Sequence, residues 1–195
     1  MAEATLGGGR GMMPNLARAE VARLIALLLP LALLGGALGS QYLGGLYPCE
    51  MCYWQRWPHG VAIVLAAGAF TGPATSSRSR MLTLLAALAF TVPAASARSR
   101  LLVLLAALAI AVSGAIGVYH AGVELGVFEG FTTCTSTARA ATTKDLLDQL
   151  MKVPLVRCDQ VQWAFLGISM AGWNAILSLG GAALIAWLAL TGRRA

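Results

Sequence analysis

Leu101-Leu-Val-Leu-Leu-Ala-Ala-Leu-Ala-Ile-Ala-Val-Ser-Gly-Ala-Ile-Gly-Val118 contains no charged residue. An α-helix rises about 1.5 Å per residue, and roughly 20 apolar residues cross the ~30 Å hydrocarbon core of a bilayer. Comparable blocks flank this one. Val21–Leu38 is broken only by Arg23, and Phe165–Leu190 is the longest. Trp57–Gly72 is marginal in length and Met81–Ala95 is shorter still. Of the 195 residues, 58% are hydrophobic and 11% charged, against about 45–50% and 25% in soluble domains. That composition excludes a disordered chain and argues against an ordinary water-soluble domain. In lipid, only helices and closed barrels satisfy every backbone polar group, and the alternation of a barrel strand is absent. The fold expected is an all-α membrane protein.

The net charge of +6 takes its meaning from where the arginines sit. Arg10, Arg18 and Arg23 precede or open the first block. Arg78, Arg80, Arg98 and Arg100 fall between the second block and Leu101, and Arg193 and Arg194 follow the last. The stretches around Cys49 and from Ala121 to Gln162 carry no comparable excess. The positive-inside rule then puts both termini and the arginine-rich connection in the cytoplasm, with both cysteine-bearing loops outside. The basic balance reads as membrane anchoring, not as nucleic-acid binding. The first block also has the parts of a signal peptide, with small residues at Ala37–Gly39. Reading it as a retained span preserves the inside–outside balance.

A repeat at period 20 complicates the count. Arg78-Ser-Arg-Met-Leu-Thr-Leu-Leu-Ala-Ala-Leu-Ala-Phe90 is echoed by Arg98-Ser-Arg-Leu-Leu-Val-Leu-Leu-Ala-Ala-Leu-Ala-Ile110. It is too short for a solenoid and reads as a local duplication of a helix start. Met81–Ala95 covers only about 22 Å as a helix, is flanked by arginines, and carries Pro93 in its last turn. The expected architecture is therefore a four-transmembrane-helix bundle. Its spans run at about 19–39, 57–72, 101–120 and 163–190, with outer loops at about 40–56 and 121–162. An extra non-spanning helix at about 80–95 lies on the cytoplasmic side.

Four cysteines remain to be explained. Cys49-Glu-Met-Cys52 is a CxxC motif beside a span, and Cys134 and Cys158 lie in the longer loop. Alone, these residues allow a redox dithiol, two inert structural disulfides, or a four-sulfur zinc site. The wide spacing of the second pair and the outer compartment weigh against zinc. Arg56 follows Cys52 by four residues, one turn along the same face of a helix. A cation there raises the thiolate fraction, and an arginine at the start of a span tends to be functional, although snorkelling to the interface is the plain alternative. Tyr53, Trp54 and Trp57 read as an interfacial belt or as the wall of a site for a flat ligand. His59 reads as an interface residue. In the long loop, Thr143–Met151 has the pattern of a short amphipathic helix with Thr143 as its cap, suited to resting on the membrane and holding Cys158 near it while the stretch around Cys134 moves.

Cys-Glu-Met-Cys-Tyr-Trp-Gln-Arg-Trp-Pro-His (Cys49–His59) resembles the DsbB family of disulfide-forming quinone reductases. The resemblance continues through Gly-Val-Tyr-His-Ala-Gly-Val-Glu (Gly117–Glu124), Pro-Leu-Val-Arg-Cys-Asp (Pro154–Asp159) and Trp163–Asn174. Four motifs in order cover nearly the whole chain apart from the N-terminal tail and the repeat, which departs from the family's short link between the second and third spans. The resemblance implies an inner-membrane oxidoreductase that reoxidises a periplasmic DsbA-like thioredoxin-fold protein and reduces a membrane quinone, ubiquinone or menaquinone. It implies that Cys49 and Cys52 form the quinone-proximal pair, with Cys52 contacting the ring, and that Arg56 and His120 help bind quinone. It implies that Cys134 and Cys158 form the second pair, Cys134 making the mixed disulfide with the partner. His120 has a plain alternative as an interface residue, and Glu124, one turn on, is placed to orient it. A partner of this kind is a strong oxidant, about −120 mV for DsbA itself, so a high-potential terminal acceptor is required. Such a relay needs both loops on one side and hence an even number of spans. Cysteines introduced at Ser76 and Ser96 are therefore expected to label from the same face of the membrane; labelling from opposite faces would overturn the four-span count.

Overall fold

A computed structural model of the chain describes residues 12–71, 96–130 and 156–191. The expected helices at 80–95 and 143–151, and Cys134, lie outside these residues. The described parts form four helices: α1 (Met12–Tyr42), α2 (Glu50–Phe70), α3 (Ala97–Glu124) and α4 (Met170–Thr191). Arg18–Tyr42 of α1, all of α3 and all of α4 are long and apolar enough to cross a membrane. The first half of α2 is more polar because it holds Cys52, Gln55, Arg56 and His59.

The helices pack in a ring, α1 against α2 and α4, and α3 against α2 and α4. Their core is built largely from alanine: Ala22 and Ala26 of α1, Ala62, Ala66 and Ala69 of α2, Ala106 and Ala107 of α3, and Ala182 and Ala189 of α4. Larger side chains face outward, among them Leu28, Val64, Leu101, Leu108, Leu184 and Trp187. This is the arrangement expected in lipid, where burying leucine gains little and small residues let helices approach closely.

Element boundaries differ from the apolar blocks in two places. Cys49 ends the α1–α2 link and caps α2, its sulfur accepting from Cys52 N at 3.4 Å, so the CxxC motif lies at a helix N-terminus. The block read as a span from 163 does not become helical until Met170. Leu166 (φ 53°) and Gly167 (φ 77°) make the two-residue turn of a hairpin that pairs β1 (Ala164–Phe165) with β2 (Ile168–Ser169). Two successive positive φ values match a primed hairpin turn. Leu-Gly is not one of its usual sequence signals, and the apolar run concealed it.

Arginines gather at the end of the bundle away from the cysteines. Arg23 is fully buried, bonded to Glu20 at 2.5 Å, at 3.5 Å from the Ala69 carbonyl, and 4.2 Å from the Phe70 ring centroid. Arg98 donates to the Thr71 carbonyl at 2.6 Å. Both meet the C-terminal end of α2, where carbonyls lack intrahelical partners and the helix dipole is negative. The arginines of the first and third helices thus close the second one.

At the α3–α4 crossing, a Cβ on Gly117 would stand 3.1 Å from the Ala171 carbonyl oxygen and the Ala175 nitrogen, both backbone atoms. Gly117→Val is expected to force the helices apart and destabilise the detergent-solubilised protein by about 1–3 kcal/mol. A thermal melt would register this as a lowered Tm, and an unchanged Tm would contradict the close packing.

Candidate functional site

The capping of α2 determines how its two cysteines differ. Cys49, just before the helix, is buried at 4% exposure, whereas Cys52 in the first turn is partly open. Their sulfurs are 3.1 Å apart, with Cys49 donating to Cys52. That hydrogen bond, together with burial, pushes the Cys49 thiol well above its ordinary range. The thiol proton is held on Cys49, which favours negative charge on Cys52.

Cys49, Cys52, Arg56 and His120 all line one cavity of about 690 Å³ between α1, α2, α4 and the hairpin. Arg56 is tethered to α1, donating to Gln41 Oε1 at 2.5 Å and to the Ala37 carbonyl at 3.2 Å. It lies 5.0 Å from the Tyr53 ring centroid. Its Nε is buried without a partner among the described residues. The aromatic wall comes from Trp163, Phe165 and Trp173, where Trp173 Nε1 donates to the Phe165 carbonyl at 3.0 Å and so pins the hairpin to α4. Tyr53, Trp54 and Trp57 are exposed on the outside of the bundle, the belt position.

His120 is 3% exposed, near the end of α3, with Nε2 3.5 Å from Cys49 Sγ. Glu124 Oε1 lies 3.9 Å from the same nitrogen, and the Glu124 carboxylate also accepts from Ser169 Oγ of the hairpin. Cys158 is 2% exposed and packs with Cys49, Met51 and Val123. One donor atom from each of Cys49, His120 and Cys158 lies within 4.8 Å of the others. By atom type and spacing, a soft cation could be held there. Next to Cys158, Arg157 pairs with Asp159 at the surface and holds that carboxyl below its usual range. The structure thus brings five of the six expected site residues together, and Cys134 lies outside the described residues.

His59 is not at the interface. It is 3% exposed inside the bundle, with Nε2 2.9 Å from Ser113 Oγ and 3.0 Å from Asn174 Oδ1. Asn174 in turn donates to Gln55 Oε1 at 2.7 Å, and Gln55 Nε2 lies 2.8 Å from His120 Nδ1. This chain of polar groups crosses α2, α3 and α4. The sequence reading gave no role to Gln55, Ser113 or Asn174. Their signal was present, since each is a polar residue inside an apolar run.

Residues 19–188 match the family described as "Disulfide bond formation protein DsbB". The chain belongs to the DsbB family. Membership makes it a membrane disulfide oxidoreductase, in keeping with three helices among the described residues that are apolar enough to span. Neither a curated protein nor a solved structure matches the chain.

The different states of the two thiols in this DsbB-family site can be measured directly. In the reduced protein at neutral pH, a small alkylating reagent is expected to modify Cys52 well before Cys49, with Cys49 modification rising only at alkaline pH as its raised thiol ionises. Peptide mapping after short exposures would show the order, and equal rates at the two sites would contradict it.

Proposed function

We propose that the protein reoxidises a periplasmic DsbA-like thioredoxin-fold oxidase and passes the electrons to a membrane quinone through two cysteine pairs. It would act as a four-span inner-membrane protein with its cysteine loops facing the periplasm. The observation that carries this reading is the two-sided environment of the CxxC motif: Cys49 faces Cys158, and Cys52 faces an apolar cavity beside Arg56.

The residues lining the cavity fit a quinone. Its walls offer aromatic rings for a flat ring system, and Arg56 brings a buried Nε–H without an acceptor among the described residues, suited to a carbonyl oxygen. A quinone bound there supplies a terminal acceptor for two electrons and two protons. Cys52 and Arg56 would hold its ring, and Trp163, Phe165 and Trp173 would exclude water from it.

The cysteine chemistry balances by exchange alone. One thiolate of the partner attacks Cys134, forming a mixed disulfide and releasing Cys158. Cys158, already against Cys49, attacks the Cys49–Cys52 disulfide at Cys49 and releases Cys52 as a thiolate beside the cavity. The partner's second thiol then resolves the mixed disulfide, leaving the partner oxidised and Cys134 free. Cys134 attacks Cys158, re-forming their disulfide and releasing Cys49. The net result is one oxidised partner and one Cys49/Cys52 dithiol, two electrons and two protons having moved between them. Each step is attack by a thiolate on a disulfide sulfur.

Purified protein in detergent, mixed with a reduced thioredoxin-fold oxidase and a soluble quinone, is expected to consume the quinone. Cys52→Ser and Cys134→Ser should each lower turnover by about 100-fold or more, since each breaks the relay. Full steady-state turnover by either variant would overturn the scheme. Arg56→Met should raise the KM for quinone by about tenfold, the size of one lost hydrogen bond from a charged donor.

A further inference from the structure

The buried polar chain determines where the proton sits on His120. Two backbone carbonyls, which can only accept, orient its amides. Asn174 Nδ2 donates to the Ser113 carbonyl at 3.2 Å, while Asn174 Oδ1 accepts from Ser178 Oγ at 3.0 Å. The nitrogen end of Asn174 therefore faces Gln55, and the 2.7 Å contact makes Gln55 Oε1 the acceptor. The opposite end of the Gln55 amide is then Nε2, which donates one hydrogen to the Met51 carbonyl at 3.2 Å. Its other hydrogen is directed at His120 Nδ1, 2.8 Å away. An amide nitrogen has only hydrogens to offer, so Nδ1 must present its lone pair. The ring then carries its one proton on Nε2, the nitrogen 3.5 Å from Cys49 Sγ.

We propose that Gln55 is a positioning residue that fixes His120 as the Nε2–H tautomer, a hydrogen-bond donor toward Cys49. The choice of tautomer separates three roles that the distances alone leave open. A ring protonated at Nε2 cannot take the Cys49 proton at that atom. Nor can that tautomer give the same atom's lone pair to a cation, so the Gln55 contact favours a thiol site over a metal site at the Cys49–His120–Cys158 cluster. What it can do is donate: the Cys158 backbone already hydrogen-bonds to the ring, and the Cys49 sulfur, 3.5 Å from Nε2, is the acceptor on which charge develops. On the relay reading above, on which this functional consequence rests, the Cys49–Cys158 bond breaks when Cys134 attacks Cys158. Cys49 then leaves as a thiolate in a buried place, and the Nε2–H bond stabilises the charge as it forms. No proton is transferred in that step.

The chain holds only two histidines, so ¹⁵N-histidine labelling gives a simple spectrum of the full-length protein in detergent, without partner or quinone. The expected pattern for His120, assigned by its loss in His120→Asn, is a protonated Nε2 and a bare Nδ1. Gln55→Glu keeps the size of the side chain but turns a donor into an acceptor, and should place a proton on Nδ1. Gln55→Leu should leave a mixture of tautomers. In steady-state assays Gln55→Glu should lower kcat by about tenfold, the size of one hydrogen bond to a charged group. A protonated Nδ1 in the wild-type protein would overturn the proposal, as would an unchanged tautomer in both variants. The spectrum needs no turnover, so failure of the tautomer and failure of the relay are told apart.

Discussion

A polar side chain inside an apolar bundle must find a partner there, because no water is at hand to replace one. Gln55 is the residue on which this constraint falls most heavily. It lies one turn after the CxxC motif, on the inward face of α2, at 7% exposure. Its amide is met on one side by Asn174 of α4 and on the other by His120 of α3. The three helices that carry the site are therefore held in register by hydrogen bonds whose directions cannot be exchanged without stranding a donor or an acceptor. His59 and Ser113 extend the same chain deeper, with Ser113 Oγ donating to the Gln55 carbonyl at 2.8 Å. Alanine packing brings the helices close, and the polar chain determines how they face one another.

Around that chain the two thiols of the CxxC motif become unlike. Cys49, at the cap, is enclosed by Met51, Val123 and Cys158, while Cys52 opens on the cavity that Arg56 borders. The helix start is what separates them, since Cys49 stands before α2 as its buried cap while Cys52 lies in the first turn and is partly open. Arg56 is held by Gln41 and Ala37 of α1, so the first helix contributes to the site as well as to the bundle. Cationic groups elsewhere serve the opposite end, where Arg23 and Arg98 meet the carbonyls that finish α2.

Much of this was legible in the residues. The absence of charge over Leu101–Val118, the clustering of arginines and the CxxC–Arg spacing pointed to a helical membrane protein with its chemistry at the start of a span. Periodicity could not reveal that 163–169 fold into a hairpin, because that segment is as apolar as the helix that follows. Nor could it show that His59 is buried, since a histidine near a span end is equally at home at the interface. Nor could it choose between a belt and a site wall for Tyr53, Trp54 and Trp57, which lie close to Cys52 in sequence, whereas the helix turns them outward to the belt position.

The sequence by itself determined the solvent of this protein, the kind of secondary structure that solvent allows, and the four-motif pattern that marks its family. These follow from composition and local spacing, which need no knowledge of what packs on what. Only the tertiary structure decided which groups meet: Cys158 against Cys49, Arg56 on α1, and the Asn174–Gln55–His120 chain across three helices. Those contacts join residues up to 119 positions apart, and a hydrogen bond's direction depends on both partners' neighbours, which no local pattern records.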